Sequence, residues 1–113
     1  MSCSIKGFDI DMTRGDALTV RMPLYLDGEE YVLQEGDAVR FAARDPDDDE
    51  VLIEKDISND YVLELESADT KSLDLGTYRY DVQITFGDTG KPLTYIPDTP
   101  KGKAKLTLTW EAK

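Results

Sequence analysis

The segment DLGTYRYDVQITFGDTGKPLTYI, Asp74 to Ile96, decides the fold. From Thr77 to Phe86, polar and apolar residues alternate without a break. Tyr78, Tyr80, Val82, Ile84 and Phe86 take one side; Thr77, Arg79, Asp81, Gln83 and Thr85 take the other. Successive side chains of a strand point to opposite faces, so this period of two predicts a long central strand with one buried and one wet face. Gly87-Asp88-Thr89-Gly90 closes it with a turn, and Leu93 to Ile96 returns as a short strand.

The same period recurs outward from this segment. Phe8, Ile10 and Met12 alternate with acids, and Leu18, Val20 and Met22 alternate with Thr19 and Arg21. Between them, Thr13-Arg14-Gly15-Asp16 reads as a turn. Its Arg-Gly-Asp tripeptide is explained by turn chemistry without an adhesive role. Pro23 bends the chain or places it at an edge. Asp27-Gly28 is a hairpin signal, and Tyr31 to Leu33 form its return strand. Val39, Phe41 and Ala43, then Val51, Ile53 and Ile57, then Tyr61, Leu63 and Leu65 are further inward sets. Ser67 to Leu73 lacks the period and reads as a helical turn or loop. Ala104, Leu106, Leu108 and Trp110 form the last strand, with Lys103 and Lys105 on its outer side.

Seven to nine short strands result, with turn signals every eight to twelve residues and no competing amphipathic helix. Two sheets must pack face to face to bury this much alternating apolar surface. The expected fold is all-β: an immunoglobulin-like antiparallel β-sandwich in one domain, residues 1–113. In such sandwiches a tyrosine near the start of a central strand returns its hydroxyl to the upstream backbone. Asp74-Leu75-Gly76-Thr77-Tyr78 has that arrangement: Gly76 permits the tight entry, and Tyr78 buries its ring while pairing its hydroxyl. Tyr80 stands where antibody domains carry a cysteine, so a ring replaces the disulfide.

Composition narrows the chemistry. The 113 residues hold 24 acids against 13 bases, a formal charge of −11. That balance opposes nucleic-acid binding, which needs cations to neutralise phosphates, and opposes an anionic membrane surface. No apolar run is long enough to span a bilayer. With no histidine and a single cysteine, Cys3, neither a disulfide nor a thiol–imidazole pair forms within the chain. Nearly all carboxylates fall on wet strand positions or in turns. The expectation is therefore no enzyme and no cofactor. The opening MSCSIKGFDID has no apolar core, so no signal peptide is expected.

Two clusters remain. In DPDDDEVLIEKD, Asp45, Asp47, Asp49 and Asp56 match positions 1, 3, 5 and 12 of a calcium-loop template. Glu50 replaces the required glycine, Pro46 stiffens the entry, and the flanks are strand-like. A solvated hairpin loop explains the same residues. Lys103 and Lys105 protect an edge strand from unwanted pairing, or contact an acidic face of a neighbouring copy.

Three segments together resemble a known family: IKGFDIDMTRGDALTVRM, then DGEEYVLQEGDAVRFAARD with VLIEKDI, then SADTKSLDLGTYRYDVQIT. The layout is similar to small immunoglobulin-like proteins of phages and prophages of Gram-positive bacteria, notably the N-terminal domain of baseplate upper proteins and related tail or fibre subunits. Arg14-Gly15-Asp16 and Gly76-x-Tyr78-x-Tyr80-Asp81-x-Gln83 carry it best. The resemblance implies a virion structural part made in the bacterial cytoplasm, without catalysis. Its partners would be other virion or tail proteins, or further copies in a homo-oligomer. The segment holds no long coiled coil, so an adaptor or decoration subunit is expected. A bacterial immunoglobulin-like module binding a sugar or surface protein is the alternative, with calcium-dependent adhesion through Asp45, Asp47 and Asp49 as its variant.

Overall fold

The alternation in the sequence becomes eleven strands and one short helix among the residues that the computed structural model describes, 3–6, 9–96 and 104–109. In chain order they are β1 (Cys3–Lys6), β2 (Asp9–Thr13), β3 (Leu18–Arg21), β4 (Tyr25–Leu26), β5 (Glu29–Glu30), β6 (Ala38–Arg44), β7 (Val51–Asp56), β8 (Val62–Leu65), α1 (Ser67–Lys71), β9 (Gly76–Thr85), β10 (Pro92–Ile96) and β11 (Lys105–Thr109). The fold is all-β, as expected. The strand count exceeds seven to nine because β1 and the two-residue β4 and β5 add to the longer strands. The return from Asp27-Gly28 pairs at Glu29–Glu30 and continues with a backbone bond from the Tyr31 N–H to the Leu24 carbonyl at 2.8 Å, while Val32 and Leu33 lie outside the strand.

A seven-stranded sheet runs in the order β1-β2-β11-β9-β6-β7, with β10 pairing β9 off this path. β9 is its longest strand. β6 pairs antiparallel with Arg79 to Thr85 of β9, while β11 pairs with Gly76 to Arg79 and β10 with Val82 to Thr85. β10 and β11 thus lie end to end along the other edge of β9. The sheet is mixed, which corrects the purely antiparallel expectation: β11 pairs parallel with β2, matching Leu106 to Ile10 and Leu108 to Met12. Parallel neighbours need a long connection, and here the two strands come from opposite ends of the chain. β11 is therefore an interior strand. Edge protection does not explain Lys105, and Lys103 lies outside the described residues.

β3 and β8 pair antiparallel as a separate two-stranded layer. Leu63 and Leu65 from that layer, Met22 just after β3, and Ile10, Phe41, Val82, Ile84 and Leu106 from the large sheet belong to one buried core. Each such aliphatic or aromatic side chain contributes about 1.5–3 kcal/mol by leaving water. The Phe41 and Tyr80 rings meet with centroids 5.2 Å apart, the inward contact expected of Tyr80. One hydroxyl ties the layers together, and a second fastens the chain after β5 to the turn before β8. Tyr95 Oη donates to the Met22 carbonyl at 2.6 Å, and Tyr61 Oη donates to the Tyr31 carbonyl at 2.5 Å.

Irregular strands account for the misread parities. A bulge between Thr94 and Ile96 turns both Tyr95 and Ile96 inward. A second bulge skips Leu52, so Val51 pairs with the outward Arg44 and is exposed instead of buried. Ala42 faces outward yet is fully covered, because Arg40–Glu54 and Arg44–Asp81 ion pairs run past its single methyl group. Lys55 takes an inward position opposite Phe41 and reaches out of the layer to Asp69 of α1 at 2.9 Å.

The entry to β9 has the expected geometry. Gly76 has a φ of 140°, a conformation side chains rarely adopt, and Tyr78 Oη donates to the Asp74 carbonyl at 2.6 Å. Tyr78→Phe keeps the fold and loses about 1–2 kcal/mol of stability on chemical denaturation, since the carbonyl is left without its partner. Unchanged stability would remove the hydroxyl from this role.

Candidate functional site

The turns at the two ends of the sandwich consume the residues that the sequence marks as chemical. Asp45 Oδ1 accepts the Asp47 N–H at 2.8 Å and the Asp48 N–H at 3.3 Å, shaping the β6–β7 hairpin tip. Asp49 stands in the left-handed region with φ 62° and sends its carboxylate back over the sheet. There Oδ1 accepts from Arg79 Nη2 at 3.0 Å and Oδ2 lies 3.9 Å from Arg44 Nη1. Asp56 Oδ1 accepts the Ser58 N–H at 2.8 Å. The carboxylates of the calcium template are thus spread over a turn, an arginine pair and a strand end. Among the described residues, no three Asp, Glu, Cys or His side chains converge to hold a metal.

The Arg-Gly-Asp turn is similarly engaged. Arg14 Nη1 donates to the Leu73 carbonyl at 3.1 Å, and the Gly15 N–H donates to the fully buried Thr70 hydroxyl at 2.9 Å. The tripeptide docks α1 against the β2–β3 turn. Gly76, Tyr78 and Tyr80 are all core or corner residues. The residues carrying the family resemblance are therefore architectural here.

Sequence reading missed a polar knot at one end. Asp37 accepts three hydrogen bonds at 2.8 Å: Oδ1 from the Gly87 N–H, and Oδ2 from the Gln34 N–H and the Tyr31 hydroxyl. The Gly87 N–H first, then that of Gln34, hold the Asp37 carboxyl below the usual carboxylate range. Tyr31 meets Phe86 edge-on at 5.6 Å. Gly36 and Gly87 pass so closely that a Cβ on Gly87 would stand 2.5 Å from the Gly36 carbonyl carbon. The Asp-after-Gly turn at 35–37 was visible in the sequence, but its partner fifty residues on was not.

Two exposed surfaces stand out among the described residues. One is a groove of about 410 Å³ between the chain leading into β4 and strand β10, lined by Pro23, Leu24, Tyr25, Leu93, Tyr95 and Ile96. Tyr25 is 61% exposed, and Leu26 and Leu93 add apolar surface. The other is the outer face of the large sheet. Its register lines up Lys105, Arg79 and Arg44 directly across β11, β9 and β6. Glu54 and Asp56 stand on one flank of this face and Asp9 and Asp11 on the other. Exposed ion pairs such as Arg40–Glu54 at 3.0 Å contribute only about 0–1 kcal/mol each, so this pattern matters more for contacts than for stability. No helix among the described residues is long and apolar enough to cross a membrane.

The Asp37 knot gives two expected outcomes. A depressed carboxyl contributes stability that is complete above its unfolded pKa and is lost as pH falls through the folded value. Melting temperature should thus fall below about pH 4, and Asp37→Asn should start lower at neutral pH and show a shallower acid slope. Identical slopes would exclude Asp37. Gly87→Ala should lose about 1–3 kcal/mol in denaturant unfolding, because its methyl group meets backbone that must shift. A neutral result would mean the turns separate freely.

Compared with known proteins, the chain matches no family model, no curated protein and no solved structure.

Proposed function

We propose that this chain is an immunoglobulin-like sandwich serving as a non-enzymatic structural protein of a phage or prophage virion, a tail or baseplate adaptor or a decoration subunit. Strand order supports the fold reading. In immunoglobulin-like sandwiches strands B and E pair in one sheet while C, F and G pair in the other. β3 and β8 take the places of B and E, β6 and β9 those of C and F, and β10 with β11 that of a divided G. β7 adds a strand beside C, and the tyrosine corner sits where the chain passes from β8 through α1 into β9.

The observation that carries the functional reading is where the polar groups are used. Arg14, Gly15, Tyr78 and Asp37, with much of the hairpin acid cluster, hold turns and layers together, while the exposed groups form broad surfaces. Such a surface suits protein contacts made by sheet faces and grooves. One observation favours the alternative of a sugar- or surface-protein-binding module: the exposed Tyr25 ring stands over the groove beside Leu93.

Antibody labelling in the electron microscope distinguishes the two. Particles released from the encoding bacterium on prophage induction should carry label on their tails. Label confined to the cell surface, with glycan or cell-wall binding lost in Tyr25→Ala, would replace the virion reading by the alternative.

A further inference from the structure

The row Lys105–Arg79–Arg44 is the feature the fold does not account for. Like charges placed directly opposite on neighbouring strands destabilise a sheet. Yet a chain of formal charge −11 sets three cations abreast across β11, β9 and β6. Two of them are answered from within. Asp49 bridges Arg79 and Arg44, and Asp81 accepts from Arg44 Nε at 3.0 Å. The row already holds a carboxylate, which shows the chemistry it accepts. Lys105 is different. Asp9 takes the Lys105 backbone N–H at 3.3 Å, but no ion pair within the described residues holds its ammonium, and the residue is exposed. Arg79 is also half exposed, with one exposed partner.

A complementary surface lies elsewhere on the same molecule. Asp56, Asn59, Val62, Glu64 and Glu66, with Lys55, line a cleft of about 320 Å³ along the β7–β8 side of the sandwich. It presents three carboxylates against one lysine, and that lysine is committed to Asp69. The row lies on the outer face of the large sheet, Asp56 stands at the flank of that face, and Glu64 and Glu66 belong to the β3–β8 layer and its turn into α1. One copy therefore cannot bring its own row to its own cleft, but two copies can join row to cleft.

We infer that the Lys105–Arg79 end of the cationic row docks the Asp56–Glu64–Glu66 cleft of a second copy of this chain. The contact is heterologous, so repetition closes a ring or extends a stack. The inference rests on the assembly reading above and names its partner. Local pairs persist at physiological salt, where the Debye length is about 8 Å, and are screened near 1 M salt, where it is about 3 Å.

The test is solution mass by light scattering and sedimentation on the full chain. The wild type should associate with rising concentration near 0.15 M salt and dissociate near 1 M. Lys105→Glu should weaken association at least tenfold. It places opposite charges across Lys105 and Arg79 positions, so the sheet is not strained. Glu64→Lys, on the exposed side of β8, should weaken it likewise, and both single variants should keep intact melting curves. Mixing these two charge-reversed chains should restore association, since row and cleft are complementary again. Association that survives both reversals, or a mixture that stays monomeric, overturns the contact. A strictly monomeric wild type also overturns it, and leaves the virion reading to be decided by particle labelling.

Discussion

β9 is the strand on which the rest of the structure depends. It is the only place where β6, β10 and β11 meet among the described residues, and both of its edges are paired along most of its length. Its inward residues Tyr78, Tyr80, Val82 and Ile84 are all buried. Its start is held by the Tyr78 hydroxyl on Asp74, and its end by the Gly87 N–H on Asp37. A strand pinned at both ends in this way has one register. One residue of slip would send every core side chain into water.

The second layer is small, and side-chain hydroxyls secure it as much as its own ladder does. β3 and β8 alone form a two-stranded ribbon, which is marginal in water without a partner face. Tyr95 of β10 fastens the chain around Met22 to the large sheet, and Tyr61, just before β8, holds the chain around Tyr31. Burial pushes the Tyr61 hydroxyl up to about 12, and pushes that of Tyr95 higher, so both stay protonated and donate across the neutral range. Asp60 and Tyr61 both adopt positive φ, at 57° and 62°. That turn is strained for a tyrosine, and burial of its ring with a bonded hydroxyl offsets the strain.

The motif residues and several prominent acids are spent on turns and corners. The exposed apolar groups at Tyr25, Leu26 and Leu93 and the ordered charges of the large sheet are the surfaces on which contact with other proteins would depend.

The local physics of the chain was legible without coordinates. Period-two alternation marked the inward residues of β6, β8, β9 and β11, and Asp-x-Gly-x-Tyr marked the corner, because side-chain direction in a strand and glycine at positive φ are properties of a few adjacent residues. What depended on residues far apart was not legible. The parallel pairing of β2 with β11 put Lys105 on an interior strand of the sheet rather than at its edge. The two bulges reversed Val51 and turned Tyr95 and Ile96 inward together, and the Asp37–Gly87 knot joined turns fifty residues apart. Alternation states which side chains share a face. Only the packed tertiary structure decides which strand lies beside which, since register and neighbour are chosen by the total burial of both layers and not by any one segment.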